Sequence, residues 1–293
     1  MTTETMMIGD ITLSLTNPDK MLWPEVGITK RKYLHQLMLL SPYLISHCEQ
    51  HFLTTIRYPH GVHGDFFYQK NCPSTKPAFV TTANWHDHQY IVLKDLATLL
   101  WLGNLACLEF HISFQPIHDA KPSVWIMDLD PTHPDGPNIF EAASYIEEVL
   151  SKLNIESIAK TSGATGIQIM IPIEPEYTFD QLRKLGEFLA HYFVEKHPDL
   201  FTIERLIKNR GKKIYVDYLQ YWSGKSIAAP YTPRANRFAA VSTPLTWEEV
   251  KRIPNIHDYH LLSLPQRLLT TGDLLQNLPK QSLKDILMFI EQN

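Results

Sequence analysis

Residues 123–129 read Ser-Val-Trp-Ile-Met-Asp-Leu, a nearly continuous apolar run closed by Asp130 and Pro131. A run of that length, stopped by a proline, predicts a strand covered on both faces. Side chains alternate along a strand, so Asp128 and Asp130, two apart, project from the same face. Two buried carboxylates side by side are costly unless a cation neutralises them. Hard divalent cations such as Mg²⁺ or Mn²⁺ take carboxylate oxygens of this kind. Asp217, in Tyr215-Val216-Asp217-Tyr218, offers a third carboxylate on another strand-like segment. Three carboxylates can hold two ions about 4 Å apart, which clamp the attacking and leaving oxygens of a phosphoryl transfer. On the spacing alone two other readings stand. The acids end a strand and bond the next turn, or they hold a nucleotide-sugar diphosphate as a D-x-D pair.

The pattern around this run is mixed. Thr29 predicts a cap for a helix carrying Leu34, Leu37, Met38 and Leu39 and ending before His47. Strands are expected at residues 52–58, 66–69 and 90–93, then a helix over residues 95–103 closed by Gly103. Asn138 with Glu141 three residues on has the form of a capping box. Its helix buries Ile139, Ala142, Ala143, Ile146, Val149 and Leu150. Strands at residues 157–160 and 167–171 precede a second capped helix from Thr178, and strands at 214–218 and 226–229 are expected to close the sheet. The last forty or so residues read as short helices. The fold class is α/β, mixed α+β, with central strands buried by helices. No repeat or long linker divides residues 1–293, which predicts a single domain, at most two interlocked lobes.

Charged residues make up 20% and hydrophobic ones 44%, as in an ordinary globular enzyme. Three widely spaced cysteines form neither a zinc pair nor a disulfide framework. Residues 1–10 do not resemble a signal peptide, and no apolar run reaches membrane-spanning length, so a cytosolic protein is expected. A net charge of −4 confines any nucleic-acid contact to local positive patches. Two are present: Lys30-Arg31-Lys32 with Lys20 upstream, and Arg205, Lys208, Arg210, Lys212 and Lys213.

Further segments carry polar chemistry. Lys160-Thr161-Ser162-Gly163-Ala164-Thr165-Gly166 lies between two expected strands, and backbone amides of such a turn can form an anion-binding concavity. A plain hairpin explains the glycines equally well. Gln168 follows on the outgoing strand. Lys225 and Arg234 flank Ser226-Ile227-Ala228-Ala229-Pro230 and suit phosphate oxygens, or they are surface cations beside a buried strand. Lys30, Arg31 and Lys32 occupy a helix's first turn, where cations oppose the macrodipole. A phosphate bound there, with Lys20 folding back onto it, would repair that conflict; a solvated face is the plainer account. Of the consecutive Phe66, Phe67 and Tyr68, at least one faces outward from a strand and is available to stack on a base.

Taken in order, these pieces resemble the polymerase domain of bacterial DNA ligase D, in the archaeo-eukaryotic primase superfamily. The resemblance runs from about residue 15 to residue 269. It rests on Asn17-Pro18-Asp19-Lys20, Arg57-Tyr58-Pro59, Phe67-Tyr68-Gln69-Lys70, Leu99-Leu100-Trp101-Leu102, Asp128-Leu129-Asp130-Pro131, Thr161-Ser162-Gly163, Val216-Asp217-Tyr218 and Ala229-Pro230-Tyr231. It implies a primase-polymerase fold with a central mixed or antiparallel sheet flanked by helices. It also implies a template-dependent nucleotidyltransferase that extends or fills DNA ends in non-homologous end joining or related repair. Two Mn²⁺ or Mg²⁺ ions would sit on Asp128, Asp130 and Asp217, with NTP or dNTP as substrate. His111, Ser162, Gly163, Gln168, Gln220, Lys225 and Arg234 would hold the nucleotide, Lys20 and Lys30 a downstream 5′-phosphate, and Phe67 and Tyr68 the template base. Expected partners are gapped or broken DNA, a separate ATP-dependent ligase and a Ku-like end-binding protein, near the nucleoid in the cytoplasm. Neither a ligase nor a nuclease module is expected within 1–293.

The sequence departs from that family at three positions. Gln168 stands where the superfamily commonly has histidine, Thr165 where many relatives have a cation, and Ile56 where a basic residue precedes Arg57. Gln168 and Thr165 give some support to one rival, a DNA end-binding or bridging module with a weakened catalytic site. A metal-dependent glycosyltransferase is the other rival, and it leaves Lys20 and Lys30 without a role.

Overall fold

A computed structural model describes residues 2–292. In chain order the elements are β1 (Thr3–Ile8), β2 (Ile11–Thr16), β3 (Met21–Trp23), β4 (Ile28–Thr29), α1 (Lys30–Cys48), β5 (His51–Arg57), β6 (Phe67–Gln69), β7 (Thr82–Trp85), β8 (His88–Ile91), α2 (Leu96–Asn104) and β9 (Cys107–Pro116). They continue as β10 (Val124–Pro131), α3 (Ile139–Lys152), β11 (Ile158–Thr161), β12 (Ile167–Pro172), α4 (Phe179–Lys196), β13 (Phe201–Thr202), β14 (Ile214–Val216), β15 (Ser226–Ala228), β16 (Pro244–Leu245), α5 (Trp247–Lys251), α6 (Leu264–Thr271) and α7 (Lys284–Gln292). Among the described residues no helix is long and apolar enough to cross a membrane. Cys48, Cys72 and Cys107 are free thiols.

The chain forms two compact units, each assembled from three segments: residues 1–113, 226–242 and 257–272, and residues 114–225, 243–256 and 273–293. The mixed α/β class holds, but the expected single sheet does not. There are two six-stranded sheets, one ordered β13-β14-β10-β12-β11-β16 and one ordered β15-β9-β5-β8-β7 with β6 also on β5. β14 and β15, expected to close one sheet together, belong to different ones. Strand partners are chosen by long-range pairing, which the local alternation of residues does not encode.

In the first unit Thr29 caps α1 by accepting from the Lys32 backbone N–H at 3.3 Å. Asp95 caps α2 in the same way, through Thr98. Gly103 does not close α2, which runs on through Asn104. Its bareness serves packing instead: a Cβ there would lie 2.6 Å from Leu34 Cδ2 and 2.8 Å from Leu37 Cδ1 on α1. α1 also continues past His47 to Cys48.

In the second unit β10 extends through Asp130 to Pro131, so both aspartates are strand residues with ladder partners. Pro131 is tolerated because it is the last residue of the strand. α3 begins after Asn138, whose side chain accepts from Phe140 N at 2.9 Å. The reciprocal bond of the expected capping box is not part of this cap. At α4 the full box forms between Thr178 and Gln181. The buried faces of α3 and α4 (Ile146, Leu150, Leu182, Leu189) are fully enclosed, and Trp125 and Ile171 fill the sheet interior. Burial of this kind stabilises by roughly 25 cal/mol per Å² of apolar surface, which anchors the central strands against movement.

Candidate active site

Asp128 and Asp130 lie on β10, the third strand of the second unit's sheet. Asp128 pairs with Gln168 of β12 on one side, and Asp130 pairs with Tyr215 of β14 on the other. Asp217 follows β14 directly, and its backbone N–H donates to Asp128 O at 2.9 Å. The three carboxylates are therefore neighbours across one sheet. Burial, then the charges of Asp130 and Asp217, push the Asp128 carboxyl up to about 7, against a hydrogen bond from Gln168 and the positive charge of Lys160. Burial and Asp217 raise the Asp130 carboxyl as well, opposed by Arg210. Asp217 Oδ1 accepts from Gln220 N at 3.0 Å and from Tyr215 OH at 3.3 Å.

Among the described residues no three His, Cys, Asp or Glu side chains are set around one point to hold a metal ion as they stand. In chemistry, though, the donor set fits a hard divalent cation: carboxylate oxygens, two of them short of positive charge. A cation there would relieve the crowding that now favours a proton on Asp128.

The turn between β11 and β12 adjoins this cluster. Ser162 Oγ accepts from Ala164 N at 3.1 Å and Gly166 N at 3.0 Å, and Ser162 N donates to Gly166 O at 2.8 Å. Gly163 adopts φ 71°, a conformation that favours glycine. At Gly166 a Cβ would lie 2.6 Å from Leu129 O and 3.0 Å from Asp130 Oδ1, so only glycine lets the turn approach the acidic strand. Lys225 Nζ donates to Leu219 O at 3.0 Å. Arg210, read from sequence only as one cation of a run, covers Tyr215 at 3.5 Å from the ring centroid and donates to Glu204 O and Arg205 O. Lys160, which opens the turn, is fully buried.

His111, Arg234, Lys20, Lys30, Phe67 and Tyr68 lie in the first unit. His111 on β9 meets Glu109 two residues earlier, Nε2 to Oε2 at 2.9 Å. Arg234 Nε donates to the same oxygen at 2.9 Å, and Ala235 N donates to Glu109 Oε1 at 3.0 Å. Burial alone would raise the Glu109 carboxyl. The bond from His111, the charges of Arg234 and His111, and the Ala235 N–H outweigh it and hold the group at about 2. An ionised carboxylate only accepts, so the proton facing it resides on His111 Nε2. Sequence reasoning missed Glu109. Its signal was the Glu-Phe-His spacing, which puts acid and histidine on one strand face.

Lys20 and Lys30 come together because Lys30 N donates to Lys20 O at 2.8 Å and Arg31 N to Pro18 O at 2.8 Å. The Lys30 ammonium is buried and donates to Thr16 O at 2.7 Å and Asn104 O at 2.8 Å. Burial, then the charge of Lys20, lower it to about 8. Lys20 Nζ donates to Pro59 O. Arg31, instead of opposing the helix dipole unaided, pairs with Glu4 and Asp19. Phe66, Phe67 and Tyr68 are all exposed, more than sequence alternation required. Arg57 lies over Phe67 at 5.1 Å, and Tyr58 stacks on Phe66 at 5.2 Å.

Residues 29–275 match the family model described as LigD, primase-polymerase domain. The chain belongs to the LigD primase-polymerase domain family. It is 38% identical over 271 residues to the Bacillus subtilis bifunctional non-homologous end joining protein LigD, covering 92% of this chain and 43% of that protein. It is 26% identical to the multifunctional non-homologous end joining protein LigD of Mycolicibacterium smegmatis, covering 89% and 35%. The chain thus spans less than half the length of these relatives. The polymerase domain of Mycobacterium tuberculosis ligase D, solved in complex with DNA, shares the fold with a TM-score of 0.84 over 91% of this chain and 97% of that one, at 24% identity. As a LigD primase-polymerase domain the chain is a nucleotidyltransferase, an enzyme class that takes nucleotide substrates and generally uses divalent metals. Membership removes the glycosyltransferase reading.

Proposed function

We propose that this LigD-type domain fills gaps and extends 3′ ends at broken DNA, copying a template from nucleoside triphosphates, in end joining or related repair. The observation that carries the reading is the grouping of Asp128, Asp130 and Asp217 on and beside adjacent strands, with two of the carboxyls raised by desolvation and by neighbouring carboxylates. When bound, Mn²⁺ or Mg²⁺ would neutralise these carboxylates and supply Lewis acidity at the phosphoryl group. The three aspartates would hold the ions. Ser162 and Gly163 present the turn, and Gln220, fixed to Asp217 through its backbone, lies beside it. His111 and Arg234, held on Glu109, are assigned to the nucleotide. Lys225 adds a cation. Phe67 and Tyr68 stack on the template base, and Lys20 with Lys30 reads a downstream 5′-phosphate.

Such a domain would act in the cytoplasm at the nucleoid, alongside a separate ATP-dependent DNA ligase and a Ku-like end-binding protein. Primer extension on a gapped duplex with Mn²⁺ tests the reading. Asp130→Ala should abolish incorporation while DNA binding persists; incorporation near the wild-type rate would overturn the carboxylate assignment.

A further inference from the structure

We infer that Gln168 is a positioning residue that fixes the Asp128 carboxylate from within the sheet, its amide oriented by the buried ammonium of Lys160. The inference rests on the polymerase reading in taking Asp128 as a working carboxylate.

The ladder places the three side chains in one row. Lys160 on β11 is opposite Gln168 on β12, and Gln168 is opposite Asp128 on β10. Directly opposed residues share a sheet face, so the row runs across three strands on a single side. Gln168 is 4% exposed and Lys160 is 0% exposed. Lys160 Nζ donates to Gln168 Oε1 at 2.5 Å, and the Gln168 side chain also hydrogen-bonds Asp128.

The polarity of this row is dictated chemically. An ammonium only donates, so the amide oxygen must face Lys160. That turns the amide NH₂ toward Asp128, which as a carboxylate only accepts. Without Lys160 the amide could invert and set its oxygen against the carboxylate, so the lysine selects the useful orientation. Both ends of the amide are engaged by protein.

The departure from histidine at this position then has a different meaning. A neutral imidazole has one acceptor nitrogen and one donor N–H, the same pair of functions that the glutamine amide supplies. Placed between a lysine and an aspartate, glutamine preserves the relay without a titrating ring. It is a substitution within a working site, not a mark of decay.

The test uses the whole chain with Gln168→His, Gln168→Leu and Lys160→Met. Two quantities are read: kcat and KM for the nucleoside triphosphate on a gapped duplex, and Mn²⁺ affinity of the nucleotide-free protein from the free-ion electron paramagnetic resonance signal. Gln168→Leu should lower kcat and Mn²⁺ affinity each by about 10- to 100-fold, the usual scale for partners that orient metal ligands, with KM for nucleotide unchanged. Gln168→His should restore both. Lys160→Met should follow Gln168→Leu; should it fail to fold, the two Gln168 variants decide alone. A rise in KM with kcat and Mn²⁺ affinity intact would make Gln168 a direct phosphate donor and overturn the proposal. So would equal Mn²⁺ affinity in Gln168→His and Gln168→Leu. Failure of the wild-type protein to extend would defeat the polymerase reading separately, and the Mn²⁺ comparison would still decide this one.

Discussion

Glu109 in the first unit is a buried acid and Asp128 in the second a half-buried one, both on interior strands, yet their ionisation is driven in opposite directions. Glu109 receives His111, Arg234 and the Ala235 amide, and its carboxyl falls to about 2. Asp128 receives one amide and the more distant charge of Lys160, faces two further carboxylates, and rises to about 7. Desolvation is common to both; the supply of donors is not. A fully compensated acid such as Glu109 is part of the scaffold. An undercompensated one such as Asp128 keeps a demand for positive charge that a ligand can meet.

The largest effect should come from reversing that contrast by mutation. Asp128→Ala should reduce primer extension by more than about 1,000-fold, because it removes a central carboxylate of a metal-dependent transfer. The metal-free protein should fold as well as wild type or better. Glu109→Ala should do the opposite to the scaffold, costing about 3 kcal/mol of stability through loss of its ion pairs with Arg234 and His111. Thermal midpoints measured side by side check both. Equal destabilisation by the two substitutions would erase the distinction.

The pH dependence sharpens it. Glu109 is depressed below its ordinary value, so its contribution is present above about pH 4.5 and is lost as pH falls toward 2. Asp128 is raised, so its favourable contribution holds at low pH and disappears as pH climbs through about 7. Denaturant midpoints of the metal-free protein should therefore drop on both flanks. Glu109→Gln should flatten the acid flank and Asp128→Asn the neutral one. Added Mn²⁺ should stabilise the wild-type protein more at pH 8 than at pH 6, where a proton competes for Asp128.

Two smaller effects concern the residues of the first unit proposed to meet DNA. Phe67→Ala or Tyr68→Ala should weaken binding of a templated gap by about 1–3 kcal/mol, read by fluorescence anisotropy, with little change in folding. The preference for a 5′-phosphorylated gap should fade a few-fold above about pH 8, where the Lys30 ammonium of the free protein loses its charge. A preference constant from pH 7 to 9 would remove Lys30 from that role.

The local grammar of this chain was readable in advance. A mostly apolar run announced β10, and threonine and asparagine caps marked where α1, α3 and α4 begin. The aspartate pair was visible because acids inside such a run violate burial preferences. Features made by long-range pairing were hidden. Nothing near Ser226–Ala228 says that its partner is β9 and not the aspartate-bearing sheet. Glu109 looked like one more acid, since its donors come from residues 58, 111, 234 and 235, most of them far along the chain. Lys160 read as the lip of a glycine turn, because only the ladder reveals that it is buried opposite Gln168. Gly103 carried the right signal for the wrong purpose: it marked a helix crossing, not a helix end.

The bare α-carbon of Gly166 sets a limit on how this site can operate. Because the serine turn is wedged against the backbone of β10, it is immobilised with the acidic strand and is not a hinged flap. Any residue larger than glycine at 166 would push the turn that carries Ser162 away from Leu129 and Asp130.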